Sequence, residues 1–282
     1  MTVGFCYNKS NEKECGRKGK ERMEKGMRRL LSYARRAVDD YGMIEEGDRI
    51  AVGVSGGKDS LSLLCALAEL RRFYPRRFEV VALTVDMRFD ELEAGKRADY
   101  SDIESLCRAL DVEYHVEPSN IAKIVFDIRK ENRPCSLCAK LRRGMVNDTA
   151  KRLGCRKVAL GHHFDDVVET FMLNLFYEGR LGCFSPVTYL DRTDITVIRP
   201  FVYAPEKDIR YFAAHAALPV LESGCPANGN TERESMKTLL SQLERGNKGL
   251  RHRIFGAMQK AGLDGYVPSR VRRYDGGESE EK

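Results

Sequence analysis

Ile50-Ala51-Val52-Gly53-Val54-Ser55-Gly56-Gly57-Lys58-Asp59-Ser60 stands where one apolar segment of the chain ends and the next begins. The run from Ile50 to Val54 reads as a buried strand. Beyond the turn, Leu61, Leu64, Cys65 and Ala68 recur at helical spacing. A glycine-rich turn therefore links the end of a strand to the start of a helix. Gly56 and Gly57 let backbone approach a ligand closely, and the helix start directs unpaired N–H groups and positive partial charge at whatever binds. Lys58 adds a full positive charge, while Ser55 and Ser60 add hydroxyls. These are the parts of a phosphate cradle. The bland alternative, a turn with no ligand, leaves unexplained why glycines, lysine and serines all converge on one helix start.

The spacing excludes two familiar cradles. A Walker A loop has four residues between its first glycine and its Gly-Lys pair, followed by Ser or Thr. Here three residues separate Gly53 from Gly57-Lys58, and Asp59 follows. A dinucleotide G-x-G-x-x-G does not fit either. The Ser-Gly-Gly-Lys-Asp-Ser string instead resembles the PP-loop of the ATP pyrophosphatases. That resemblance implies cleavage of ATP between its α- and β-phosphates, with AMP joined to a substrate oxygen.

At 282 residues the chain can hold one large or two modest domains. No apolar segment follows Met1 and no run approaches a membrane span, so neither a secretory signal nor a membrane helix is expected, and the cytoplasm is the default compartment. Nine cysteines, an odd count, fit a disulfide framework poorly. The net charge is +6, and the basic residues gather. One cluster lies between Lys9 and Arg36 and includes Arg28 and Arg29. A second is Lys140-Leu141-Arg142-Arg143, and a third is Arg251-His252-Arg253. A charge run is usually a solvated face. Three clusters around a phosphate-using site favour nucleic acid as the partner.

Strand-like and helix-like segments alternate through the middle of the chain. A helix is expected from about Lys18 to Tyr41, with Leu30, Leu31, Ala34 and Val38 inward. Strands are expected at Phe78–Asp86, Val112–Val116, Lys157–Leu160 and Ile195–Arg199, and helices at Ser101–Leu110 and Asp165–Tyr177. This implies an α/β fold with a doubly wound, mainly parallel sheet and ligands at the strand C-terminal ends. From Glu206 the pattern turns helical. The expected organisation is a basic extension and helix over 1–45, an ATP-binding domain over 46–205, a helical region over 206–274 and a disordered tail over 275–282.

A second constellation is Pro134-Cys135-Ser136-Leu137-Cys138, a C-x-x-C at a helix start. Such a pair can hold metal, shuttle electrons or do nothing. A four-thiolate zinc site would want a second C-x-x-C, and the chain has none. It has Cys225, far downstream. Three thiolates would leave one iron of a four-iron cluster without a protein ligand, an arrangement suited to an exogenous sulfide or substrate. On spacing alone the cluster, zinc, redox and structural readings all stay open. A zinc role for His162-His163 is disfavoured, because adjacent ring directions diverge. Cys65, Cys107 and Cys155 read as packing residues.

Ser55–Ser60, the Pro-Cys-Ser-Leu-Cys motif with Lys140-Leu141-Arg142-Arg143-Gly144, Gly161-His162-His163-Phe164-Asp165-Asp166, and Cys225-Pro226 with Asn230-Thr231-Glu232-Arg233 occur in this order. Together they closely resemble the TtcA family of tRNA 2-thiocytidine synthetases, from about Arg22 to Gln259. The resemblance implies a 4Fe–4S cluster on Cys135, Cys138 and Cys225, with ATP, Mg²⁺ and tRNA as the other reactants. It also implies replacement of the C2 oxygen of cytidine 32 by sulfur. ATP would be held by Ser55, Gly56, Gly57, Lys58, Asp59, Ser60, Gly161, His162, Asp165 and Asp166. Lys58, Asp59 and Asp166 would carry catalysis: Lys58 offsets phosphate charge, and Asp166 assists adenylation or holds Mg²⁺ with Asp165 or His162 in support. Arg28, Arg29, Lys140, Arg142 and Arg143 would meet tRNA. A sulfur donor such as a cysteine desulfurase is implied, and the family suggests a homodimer. The family often has a Cys-x-x-Cys near the third ligand, where this chain has Cys225 alone, and Cys6, Cys15 and Cys183 match nothing in it. The alternatives are a tRNA ligase of the lysidine-synthetase kind, thiolation of another tRNA base, a zinc-bearing RNA-binding protein with a vestigial ATP site, and a small-molecule PP-loop synthetase.

Overall fold

The run beginning at Ile50 is an interior strand of a six-stranded sheet. A computed structural model describes residues 17–92, 98–130, 134–222, 225 and 232–268. The expectations for Cys6, Cys15 and the 275–282 tail lie outside them. In chain order the main elements are α1 (Arg17–Tyr41), β1 (Asp48–Gly53), α2 (Lys58–Leu70), β2 (Phe78–Asp86), α3 (Ser101–Ala109) and β3 (Glu113–Pro118). Then come α4 (Pro134–Arg152), β4 (Lys157–Ala159), α5 (Phe164–Tyr177), β5 (Val187–Leu190), β6 (Ile195–Ile198), α6 (Glu206–His215), α7 (Glu232–Gly246) and α8 (Leu250–Lys260). The sheet order is β3-β2-β1-β4-β6-β5, parallel throughout except for β5 against β6.

Alternation along the strands separates two cores. Ile50, Val52, Val80 and Ala82 face a core with α1, α2 and α6, while Ala51, Val81, Leu83 and Val158 face a second core with α4. A sheet covered on both faces needs apolar side chains on both, so its strands read as continuous runs. Helix α2 carries that logic further. Its expected stripe is buried, and so are Leu63, Ala66 and Leu67, because α1 and α6 cover its outer side. The stripes of α6, α7 and α8, through Ile209, Phe212, Met236, Leu240, Phe255 and Met258, join the core that holds Leu30 and Leu64. Strand β5 was not anticipated: only four residues long and incompletely buried, it owes its conformation to pairing with β6. Phe176, near the C-terminal end of α5, is exposed. Among the described residues no helix is long and apolar enough to cross a membrane.

Successive elements run from β1 through β2 to β3 on one side. The chain then returns to place β4 on the other side of β1. The crevice at the C-terminal ends of β1 and β4 is thus a topological switch point, where open α/β sheets bind ligands.

One expected tRNA contact is also engaged within the chain. The Arg29 guanidinium donates to buried Asp208 on α6 at 2.9 Å, and the Tyr33 hydroxyl donates to the same carboxylate at 3.1 Å. Arg29 therefore fastens α1 to α6, whereas Arg28 is exposed and reaches only the carbonyl of Glu24. Arg29→Ala should lower stability by about 1 kcal/mol, the pair being half exposed, and Arg28→Ala should leave it unchanged. Urea unfolding measures both, and an Arg29→Ala midpoint equal to wild type would remove this ion pair from the account.

Candidate functional site

Backbone pairing aims the loop after β1. The Val54 N–H donates to the Leu83 carbonyl at 2.8 Å, and the buried Thr84 hydroxyl donates to the Val54 carbonyl at 2.9 Å. The Ser60 hydroxyl then donates to the Gly57 carbonyl at 2.9 Å and accepts from the Ser55 N–H at 3.1 Å. Gly57 is the N-cap of α2, and its lack of a side chain leaves the first N–H groups of that helix uncapped. Gly56 has φ +80°, and a Cβ there would stand 2.9 Å from Leu221. Both the left-handed backbone and the close neighbour require glycine.

The loop after β4 closes the other side of the crevice. A Cβ on Gly161 would come within 3.1 Å of the backbone of Asp59 and Ser60, so two chain segments meet there with no room for a side chain. The two histidines that follow diverge. His163 caps α5: its Nδ1 accepts from the Asp166 N–H at 3.3 Å, and Asp166 accepts from the His163 N–H at 2.9 Å. His162 stacks on Phe184 at 4.8 Å between ring centres. Burial, then the charge of Arg199, lowers its pKa to about 4, so the ring is neutral at physiological pH.

Charged groups line this crevice in pairs. Lys58 Nζ lies 3.0 Å from Asp59 and 3.1 Å from Glu206. Glu206, which the sequence reading left in a packing helix, also meets Arg210 at 3.0 Å and Lys237 at 2.9 Å. Burial would raise the Glu206 pKa, but the hydrogen bonds from Lys237 and Lys58, with the charge of Lys58, hold it at about 2. Asp59 Oδ1 is buried without a hydrogen-bond partner, with His163 Nε2 at 3.8 Å. Asp166 Oδ1 accepts from Arg233 at 3.1 Å, and Arg233 also donates to Thr170.

Asp165 is engaged elsewhere. One oxygen accepts from the Glu206 N–H at 2.7 Å, capping α6, and the other accepts from Arg251 at 3.0 Å. Asp165 thus caps α6, a helix distant in sequence, rather than its own. Arg251, read as part of a basic cluster, is thereby an internal strut, and Arg253 likewise donates to the Lys248 carbonyl.

The cysteines come from two distant segments. Cys135 and Cys138 lie on the first turns of α4, exposed and half-buried respectively, and Cys225 is half-buried. The Cys138 pKa is raised by burial first, then by the nearness of Cys225 and Cys135, with Arg142 opposing. The Leu221 N–H donates to the Gly56 carbonyl at 3.0 Å, pinning the strand of chain that leads to Cys225 onto the phosphate loop. Among the described residues no three His, Cys, Asp or Glu side chains close on a common point. The Cys138 thiol feels both of the others, and three soft donors of this kind suit iron. Cys65, Cys107 and Cys155 are buried in the cores, and Cys183 donates to the Val167 carbonyl at 3.4 Å. Lys140, Arg142 and Arg143 are exposed on α4, beyond the cysteine pair.

With this geometry in place, similarity to known proteins becomes informative. A PP-loop domain family matches residues 25–243. The tRNA-cytidine(32) 2-sulfurtransferase of Syntrophotalea carbinolica is 42% identical over 234 residues, covering 82% of this chain and 88% of that protein. The chain belongs to the tRNA-cytidine(32) 2-sulfurtransferase family. The Geobacter sulfurreducens enzyme of the same name is 41% identical over 82% of this chain and 89% of its own length. In fold, the chain resembles the U34-tRNA thiolase NcsA of Methanococcus maripaludis, solved with its 4Fe–4S cluster. The TM-score is 0.66 at 24% identity, covering 89% of this chain and 80% of that one. Sequence reasoning missed two site residues of this family member, Glu206 and Thr170. Neither sits in a motif, and only the position of Glu206 directly after Pro205, where a helix begins, could have drawn notice.

Glu169 lies one turn beyond Asp166 and is buried. Burial, then the charge of Asp166, raises its pKa to about 7 from an ordinary 4.5. A folded pKa above the unfolded one means the contribution to stability is full below pH 4.5 and is lost as pH rises through about 7. Glu169→Gln should therefore melt with wild type at pH 4 and above it at pH 8. Equal melting temperatures at pH 8 would show that the carboxyl is not held protonated.

Proposed function

We propose that the protein is an ATP-dependent tRNA thiolase that adenylates the C2 oxygen of cytidine 32 and exchanges it for sulfur. One observation carries this most directly: Cys138 senses both Cys135 and Cys225, and the chain leading to Cys225 is pinned to the phosphate loop. A lysidine-type ligase needs the loop without the thiols. The name shared by the relatives supports cytidine 32 as the target, and tRNA as the substrate.

An amide-like C2 oxygen is a poor leaving group, and its adenylate leaves as AMP. The N–H groups at the start of α2, with Ser55, Gly56, Gly57 and Ser60, bind the ATP phosphates. Lys58 exchanges its pairing with Asp59 and Glu206 for the phosphates and offsets charge as the α–β bond breaks. Asp59, whose Oδ1 lacks a hydrogen-bond partner, and Asp166, once released from Arg233, are the carboxylates suited to Mg²⁺. Asp165 acts as a positioning residue, fixing the start of α6 where Glu206 sits. Gly161 keeps the β4 loop against the helix start, and neutral His162 flanks the crevice. Cys135, Cys138 and Cys225 would hold the cluster, which when bound supplies an iron position open to sulfide. Sulfur comes from a separate donor system such as a cysteine desulfurase, whose persulfide is reduced to sulfide by external thiols that leave as a disulfide. Exposed Lys140, Arg142 and Arg143 on α4 meet the tRNA backbone beside the thiols.

Protein purified without oxygen should contain about four irons and four acid-labile sulfides per chain, lost in Cys225→Ala. Zinc, or no metal, in wild type would sink the cluster assignment. Lys58→Ala should keep the iron and lower tRNA-dependent pyrophosphate release by about a hundredfold or more. Unchanged release would remove Lys58 from the chemistry.

A further inference from the structure

Arg199 stands just past the C-terminal end of β6 and is 9% exposed. Burying a guanidinium is costly unless an anion accompanies it. Its Nη1 is committed to neutral acceptors, the Ser185 carbonyl at 2.6 Å and the Thr188 hydroxyl at 3.1 Å. Its Nε is buried with no hydrogen-bond partner, and among the described residues Arg199 makes no ion pair. The titratable groups that face it do not supply the missing charge. Cys183, its pKa pushed up by burial to about 12, is a neutral thiol. Buried Tyr266 is a neutral phenol, and Arg143 adds a second positive charge.

A second orphan lies across the same ring. The Arg199 guanidinium sits 5.0 Å from the centre of Phe184, and His162 stacks on Phe184 as well. His162 Nδ1 is also buried with no partner. The two groups follow adjacent strands, β4 and β6, at the ligand-binding edge of the sheet. The phosphate loop follows β1, two strand spacings or roughly 10 Å from Arg199.

We propose that Arg199 and His162 form an oxyanion subsite that receives a phosphate-ester oxygen during the reaction. With Nη1 committed, the Nε–Nη2 edge of the guanidinium is left to donate, and a neutral imidazole can present an N–H at Nδ1. Phosphate esters enter this crevice from two sources, the AMP portion of the adenylated intermediate and the tRNA backbone next to the target nucleotide. Those sources rest on the thiolase reading, while the subsite itself rests on the two orphaned groups.

The test uses anaerobically purified full-length protein, wild type beside Arg199→Gln, Arg199→Lys and His162→Gln, with AMP, adenosine and an unmodified tRNA transcript as probes. If the phosphate is that of AMP, Arg199→Gln weakens AMP binding about tenfold to a hundredfold and leaves adenosine binding unchanged. If it belongs to tRNA, the variant weakens tRNA binding and lowers the salt slope by about one. Arg199→Lys, which keeps the charge, should retain part of either affinity. Should Arg199→Gln fail to fold, His162→Gln, whose ring packs on Phe184 alone, is expected to show the same pattern at smaller size. AMP and tRNA affinities both within twofold of wild type in the folded variants would overturn the subsite. Wild-type thiolation is measured separately. Thiolation with unchanged affinities sinks the subsite alone, and a lost phosphate affinity in a protein that thiolates no tRNA sinks the thiolase reading alone.

Discussion

Gly161 meets the first turn of α2 backbone to backbone, and the candidate site is arranged around that contact. It places the loop after β4 against the helix start that follows β1, so the crevice at the switch point is narrow and lined by N–H groups. A side chain at Gly161 would require the backbone of Asp59 and Ser60 to give by a few tenths of an ångström, with no flexible side-chain end there to take up the shift. Because the contact lies between β1 and β4, it also determines which later segments can reach the loop. Leu221 does so by pairing with the Gly56 carbonyl, and the chain leading to Cys225 follows.

Charge is organised on the same plan. Asp165 holds the start of α6 and the guanidinium of Arg251, so a residue in the first turn of α5 fixes two C-terminal helices. Glu206 at the head of α6 gathers Lys58, Arg210 and Lys237. The pairs within reach of the phosphate loop, Lys58 with Glu206 and Arg233 with Asp166, join groups that anionic and cationic reactants would separately engage. Pairing gives the largely buried carboxylates Glu206 and Asp166 their counter-charges. Arg199 departs from that pattern, which is why it stands out.

The alternating elements were legible because each is long enough to display its period. Phe78–Asp86 and Arg17–Tyr41 fall within a residue of expectation, and Cys107 and Leu64 are buried as their spacing implied. Strand β5 was not legible, since four half-buried residues carry no period of their own. The motif residues Ser55 to Ser60, Gly161 and His162 do gather in one crevice. The roles of the charged residues could not be read from composition. Arg29 and Arg251 look like any exposed arginine in sequence, yet each pairs with a carboxylate, Asp208 or Asp165, from a distant element.

By itself the sequence determined the phosphate loop and the α/β class, because each depends on residues adjacent or regularly spaced along the chain. Only the tertiary structure decided that Asp165 is a strut, that Glu206 pairs with Lys58 of the phosphate loop and that, among the described residues, Arg199 is buried without a counter-ion. Those facts depend on which distant groups meet in a low-dielectric interior, where an unpaired charge matters most and chain order says least.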